Sequence, residues 1–349
     1  MKKPIFRGLA ALPLLLFLVT SCTNDIIESK NDKENKIVFN AAVGKQTLTR
    51  ATEFSYWANG GTFPVRVHQT NAPSTTPIHN WTLTYNSAGP SWSYGPLVNQ
   101  PGYSLTYYAY YPTSNVSAVS TTGLAGTFAY AVQATAATQE DLIAATASTI
   151  SENVTLQFNH ILSQINFAIQ GIEHVKIEVT NIKVNGVKGA GTYTYDLTNA
   201  TLGSWGTYTG GAVNYAYAPH AAGLMPTSGT DNKILYLGNT GKIGVANGEN
   251  NTRNNALMLL PQTFVAATGG NFTFDFVIKD LSDVTLFSDT DVVVYFGDLT
   301  PSTWTLGKRY LYLIDFSDYV LGGPIVFTVN VNNWEDFDNA GGEIPVVVQ

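Results

Sequence analysis

The chain has 349 residues, with 18 Lys and Arg against 25 Asp and Glu and a formal net charge of −7, a balance that makes nucleic acid a poor partner. Charged residues are only 12% of the chain, about half the usual share, while the hydrophobic 44% is ample for two cores. A single cysteine excludes an intrachain disulfide.

Residues 1–21 read as a processing segment. Lys2, Lys3 and Arg7 precede an apolar run from Leu9 to Val19, closed by Thr20-Ser21-Cys22, which is too short and too near the terminus for a spanning helix. Cys22 follows a small residue at the end of that run, as in a bacterial lipobox, so lipidation of Cys22 is expected; the alternative is an ordinary cleaved signal with a chance cysteine. Residues 22–35 are polar and mixed in charge, the composition of a tether.

Lys36-Ile-Val-Phe-Asn-Ala-Ala-Val-Gly44 carries a first strand at 37–43, apolar, partly β-branched and closed by a glycine. The polar Lys45-Gln-Thr-Leu-Thr-Arg50-Ala51 follows. Arginine occurs only at 7, 50, 66, 253 and 309, and no Lys or Arg lies between Arg66 and Lys176. Arg50 therefore stands out in a body that offers trypsin-like proteases few sites. A cut between Arg50 and Ala51 would free the first strand and open a groove for another chain; the alternative is an uncut loop. If three or four of Ile37, Val38, Phe39, Ala41 and Val43 are buried, the strand contributes about 5 to 10 kcal/mol, comparable with the roughly 5 to 15 kcal/mol that stabilises a typical domain.

Beyond Arg50 the sequence reads as short strands between turn residues. They are expected at 62–68, 81–85, 105–111, 127–132 and 154–158, then at 175–184, 233–237, 256–260, 271–278, 291–296, 309–316 and 325–331. Gln139 to Thr146 fits either a helical turn or a strand. This spacing predicts an all-β chain of two antiparallel sandwiches, an N-terminal domain at 36–153 and a C-terminal domain at 154–334, with the junction near Glu152 and Asn153. Residues 335–349 form an acidic, glycine-containing tail ending Ile344-Pro-Val-Val-Val-Gln349. Ile344, Val346 and Val348 share one face of an extended segment. The tail is either a last edge strand on its own domain or a donor strand supplied to a neighbour.

No metalloprotease, nucleophile-elbow or phosphate-loop motif is present, no metal or other cofactor is implied, and no enzyme activity is read from the sequence. His160, in a strand-like apolar segment, reads as a hydrogen-bonded structural residue. Asp280, Asp283, Asp289, Asp291 and Asp298 read as a solvated acidic group, calcium being the other option. Tyr107, Tyr108, Tyr110 and Tyr111 fall on both faces of one strand, so about half are expected to be exposed, where they could stack on sugars.

Several motifs in order resemble the fimbrillin family, the pilins and pilin-like lipoproteins of anaerobic Gram-negative Bacteroidetes. They are the lipobox at Cys22, Lys36-Ile-Val-Phe39 with Thr49-Arg50-Ala51, Tyr107-Tyr-Ala-Tyr-Tyr-Pro112 and Asp141-Leu142. The segment Leu156 to Phe167, Gly307-Lys-Arg-Tyr310 and Val331-Asn-Asn-Trp334 complete the set. The resemblance implies two transthyretin-like β-sandwich domains behind a lipoprotein signal peptide, cleavage after Arg50 by an arginine-specific protease, and assembly into a type V pilus through strand exchange. It places the protein at the outer membrane and cell surface, with other pilin subunits as partners and a glycan or protein receptor for adhesion. The alternative is a monomeric glycan-binding lipoprotein anchored through Cys22.

Overall fold

The computed structural model describes residues 36–43, 57–71, 76–122, 125–171, 174–196, 203–217, 234–237 and 256–333. The first nine strands are β1 (Val38–Val43), β2 (Thr62–Gln69), β3 (His79–Asn86), β4 (Ser91–Ser93), β5 (Leu105–Tyr111), β6 (Val116–Thr122), β7 (Ala125–Ala131), β8 (Ile143–Thr149) and β9 (Asn153–His160). The next nine are β10 (Ser163–Gln170), β11 (Val175–Thr194), β12 (Ser204–Ala216), β13 (Ile234–Tyr236), β14 (Leu257–Leu259), β15 (Asn271–Asp280), β16 (Thr285–Tyr295), β17 (Lys308–Asp315) and β18 (Val326–Asn333). Helical structure among the described residues is limited to three short 3-10 turns. The ambiguous stretch after Gln139 resolves as strand from Ile143 onward.

Three sheets organise these strands. The first has the order β1-β9-β8-β5-β2-β3-β4. Strict alternation sends Phe63, Val65 and Val67 of β2, Leu105, Tyr107 and Ala109 of β5, and Val154, Leu156 and Phe158 of β9 into one shared core, as a pleated strand with one buried face requires. Because a single sheet supplies both walls of that core, it folds over on itself and its two halves face each other as the layers of a sandwich. The second sheet runs β13-β10-β17-β18 with β14 beside β10, and the third runs β16-β15-β11-β7-β6 with β12 beside β11. Phe272, Phe274 and Phe276 of β15 meet Ile165, Phe167 and Ile169 of β10 in the core between them. Pairing is antiparallel except for β1 with β9 and β10 with β17.

A third cluster joins the first sheet to the third. Tyr108 and Tyr110 of β5 and Leu142 pack on Phe128 and Tyr130 of β7 and on Tyr193 of β11. β5 is thus covered on both faces: Tyr107, Tyr108 and Tyr110 are buried and Tyr111 is half-buried. This corrects the expectation that about half of these tyrosines are exposed. A second layer, built from β7 and β11, takes the face that one sandwich alone would leave in water.

Candidate functional site

The site is the seat of the first strand. Val38 to Val43 pair in parallel with Asn153 to Phe158, one to one and without a bulge. The N–H of Val38 donates to the Glu152 carbonyl at 2.7 Å, while Ile37 turns its N–H the other way, to the Val98 carbonyl at 3.1 Å. Lys36 bridges to Asn99. The first strand therefore fills the seam between β9, at one end of the sheet order, and the chain that follows β4, at the other.

Alternation decides what the strand buries. Ile37 and Phe39 are each 2% exposed, Ala41 is half-buried, and Val38 is 50% exposed. Of the five candidates for burial, Ile37 and Phe39 are fully buried and Ala41 partly so, while Val38 is corrected to the outward face of the pleat; the side chain of Val43 is outside the described residues. Phe39 meets Trp81, Tyr94 and Tyr107 edge-on at centroid distances of 5.8, 5.3 and 5.7 Å, the geometry aromatic quadrupoles prefer. Tyr94 closes the seam by donating from its hydroxyl to the Ile37 carbonyl at 2.7 Å. Burial raises the pKa of Tyr94, opposed by a backbone hydrogen bond. Burial, with Tyr94 as a second cause, raises that of Tyr107 further. Both phenols stay neutral across the physiological range.

Trp57, the first described residue after β1, seals one end of the same core against Phe63, Trp92, Tyr111 and Phe158. It belongs to the body that would remain after a cut at Arg50. Sequence reasoning did not single out Tyr94, Trp57 or the Val98 carbonyl as wall residues. The Trp92-Ser-Tyr94 pair of aromatics after a turn was the available signal.

Asp141 and His160, both read from the sequence, come together: His160 Nδ1 lies 2.7 Å from Asp141 Oδ2, with both side chains buried. Beside them Ile161 donates to the Leu142 carbonyl, Gly307 donates to that of Leu162, and the Ser163 hydroxyl donates to that of Thr305 at 2.8 Å. The pair therefore sits where the chain passes from the first sheet to the second. The acidic residues do not converge. Asp280 accepts from the Ser282 and Val284 amides, Asp283 pairs with Lys176 at 2.7 Å, and Asp298 accepts from the Ala267 amide. Among the described residues no group of three or more His, Cys, Asp or Glu is placed to hold a metal ion. Cys22, Arg50, Ala51, Ile344, Val346 and Val348 lie outside the described residues.

Fold and site together define an all-β protein of packed sandwich layers whose first strand fills the seam of its own sheet. A crystal structure of a fimbrial protein from Bacteroides vulgatus matches with a TM-score of 0.61 at 17% identity, over 86% of this chain and 99% of that one. Candidate cell adhesion proteins from Bacteroides uniformis and Bacteroides ovatus match with TM-scores of 0.47 and 0.45, each at 14% identity over 87% of this chain and 99% of theirs. No curated protein sequence matches. The family described as fimbrillin-like matches residues 49–334, and the chain belongs to that family. The match begins after β1.

Proposed function

We propose that the protein is a structural subunit of a cell-surface fimbrium that serves adhesion and assembles by strand exchange. In this reading the precursor is exported with a lipid on Cys22 and held at the outer membrane. Cleavage between Arg50 and Ala51 releases the first strand, and the tail of a neighbouring subunit takes its seat. The observation that carries the reading is the seating of residues 37–41: side chains at alternate positions enter the core while the segment is joined to the body by backbone pairing with β9.

Energetics support it. Ile37 and Phe39, buried at about 1.5 to 3 kcal/mol each, contribute roughly 3 to 6 kcal/mol, a large fraction of a typical domain's roughly 5 to 15 kcal/mol. A body without its first strand is therefore poorly stable, and a replacement strand restores both the apolar contacts and the ladder. Ile344, Val346 and Val348 repeat the two-residue spacing of Ile37, Phe39 and Ala41, so an extended tail offers apolar groups at the same intervals. Family membership and the fold shared with a fimbrial protein support the assembly role.

N-terminal sequencing of the surface-exposed form tests this directly. A start at Ala51, unboiled ladders on SDS gels, and loss of those ladders on deletion of the last six residues are the expected results. A surface form still blocked at Cys22, migrating as a single band, would overturn the reading.

A further inference from the structure

Away from the first-strand seam, a groove of about 790 Å3 opens between β11, β12 and the segments 261–270 and 304–306. Phe264 and Trp304 form its buried floor. Two further aromatic side chains line it with their polar ends already occupied. The Trp205 indole N–H donates to the Ile161 carbonyl at 2.5 Å, and the Tyr208 hydroxyl donates to the Pro261 carbonyl. Gly191 lets the Tyr208 ring lie close against β11: a Cβ there would come within 3.1 Å of it. Trp205 is half-buried and Tyr208 is 36% exposed, so rings fixed in place border open space.

The charge of the groove differs from that of the chain. Among its described lining residues there is one cation, Lys188, and no carboxylate, in a chain of net charge −7. Thr263 and Thr268 add hydroxyls along the same rim. Fixed aromatic rings, hydroxyls and one unopposed ammonium make a mostly apolar concave site with a few polar groups, as small-molecule sites generally are. An anionic partner would meet its only charge there.

We propose that this groove binds a carboxylated sugar, with the pyranose against Trp205 and Tyr208 and its carboxylate paired with the Lys188 ammonium. The proposal deepens the adhesion reading by naming a receptor class. Sugar binding is measured on soluble subunits and strand exchange on polymers, so failure of either is seen without the other.

The test is calorimetry and saturation-transfer NMR on the full mature chain with sialyllactose, with a glucuronic-acid disaccharide and with lactose. At least one acidic sugar is expected to bind about tenfold more tightly than lactose. The sugar that binds identifies the source as sialylated or uronic-acid glycan. Tyr208→Ala is expected to weaken every sugar by about tenfold, and Lys188→Ala to abolish the preference for the acidic ones. Lys188 is exposed, so an unchanged Tm is expected for Lys188→Ala, whereas Tyr208→Ala also removes the hydrogen bond to the Pro261 carbonyl and is expected to lower Tm slightly while leaving the chain folded. Absence of acidic-sugar binding, equal binding of lactose, or binding that neither substitution weakens would overturn the proposal.

Discussion

The hydroxyl of Tyr94 reaches the carbonyl of Ile37 at 2.7 Å, tying the first strand to the far end of the sheet that it closes. The same ring packs on Trp81 at 4.6 Å and on Phe39 at 5.3 Å. Tyr94→Phe keeps the packing and removes the hydrogen bond, so it should cost about 1 kcal/mol. Hydrogen exchange of the amides in 37–43 is the measurement. They should lose protection while those of β5 do not.

The two faces of the first strand should respond differently to substitution. Phe39→Ala in the uncut chain removes a fully buried ring and should lower stability by about 3 to 5 kcal/mol. Val38→Ser, on the outward face, should stay within about 0.5 kcal/mol. Urea unfolding of both variants checks this; equal losses would mean that the groove does not grip the strand by its side chains.

Much of this arrangement is legible in the sequence, and the illegible parts share a cause. The apolar, partly β-branched run placed the first strand at 37–43 without separating its two faces, and the aromatic run placed β5 at Leu105–Tyr111 with correct bounds. β12 was invisible because Gly206, Gly210 and Gly211 depress strand propensity, and it pairs with β11 through three register shifts. β10 passed as a motif rather than a strand because Ser163, Gln164 and Gln170 break its apolar pattern although all three are buried. The covering of β5 on both faces, the approach of Tyr94 to Ile37 and the meeting of Asp141 with His160 are relations between distant segments. Local periodicity carries no information about them.

Gly126 tests the junction between the first and third sheets. A Cβ there would lie 2.6 Å from Tyr108 and 2.8 Å from Tyr195, and Tyr195 is held by a hydrogen bond from its hydroxyl to the Ala109 carbonyl at 3.0 Å. Both rings are buried. Gly126→Ala should therefore destabilise by about 1 to 3 kcal/mol, read as a lowered urea midpoint with unchanged slope.

The Asp141–His160 pair should matter for stability. Asp141→Leu leaves the buried imidazole without its carboxylate and should cost about 1 to 3 kcal/mol. The double substitution Asp141→Leu with His160→Leu should recover part of that loss, since replacing both partners by apolar groups removes the unpaired polar atom. Thermal unfolding of the single and double variants completes the cycle. A double variant that loses as much as the two single losses added together would show that the pair is not coupled.

The buried tyrosines make the fold sensitive to alkali. Burial pushes Tyr108 and Tyr215 up to about 12 from an ordinary value of 10.0, and raises Tyr193, Tyr217 and Tyr312 further, each chiefly through the same desolvation. Above pH 10 the unfolded chain releases protons that the folded chain retains, so the folded state is penalised as pH rises. Stability is intact below the unfolded pKa and declines through the raised folded values, by at most about 1.4 kcal/mol per group for each pH unit. With several such groups the loss is steep, and unfolding should come as one cooperative step above pH 10. Tyrosinate absorbance followed with circular dichroism is the check. Exposed tyrosines should titrate first without loss of structure, and the buried set should titrate together with the collapse of the β signal. Smooth titration of all the tyrosines with the fold intact would show that the aromatic layers admit water.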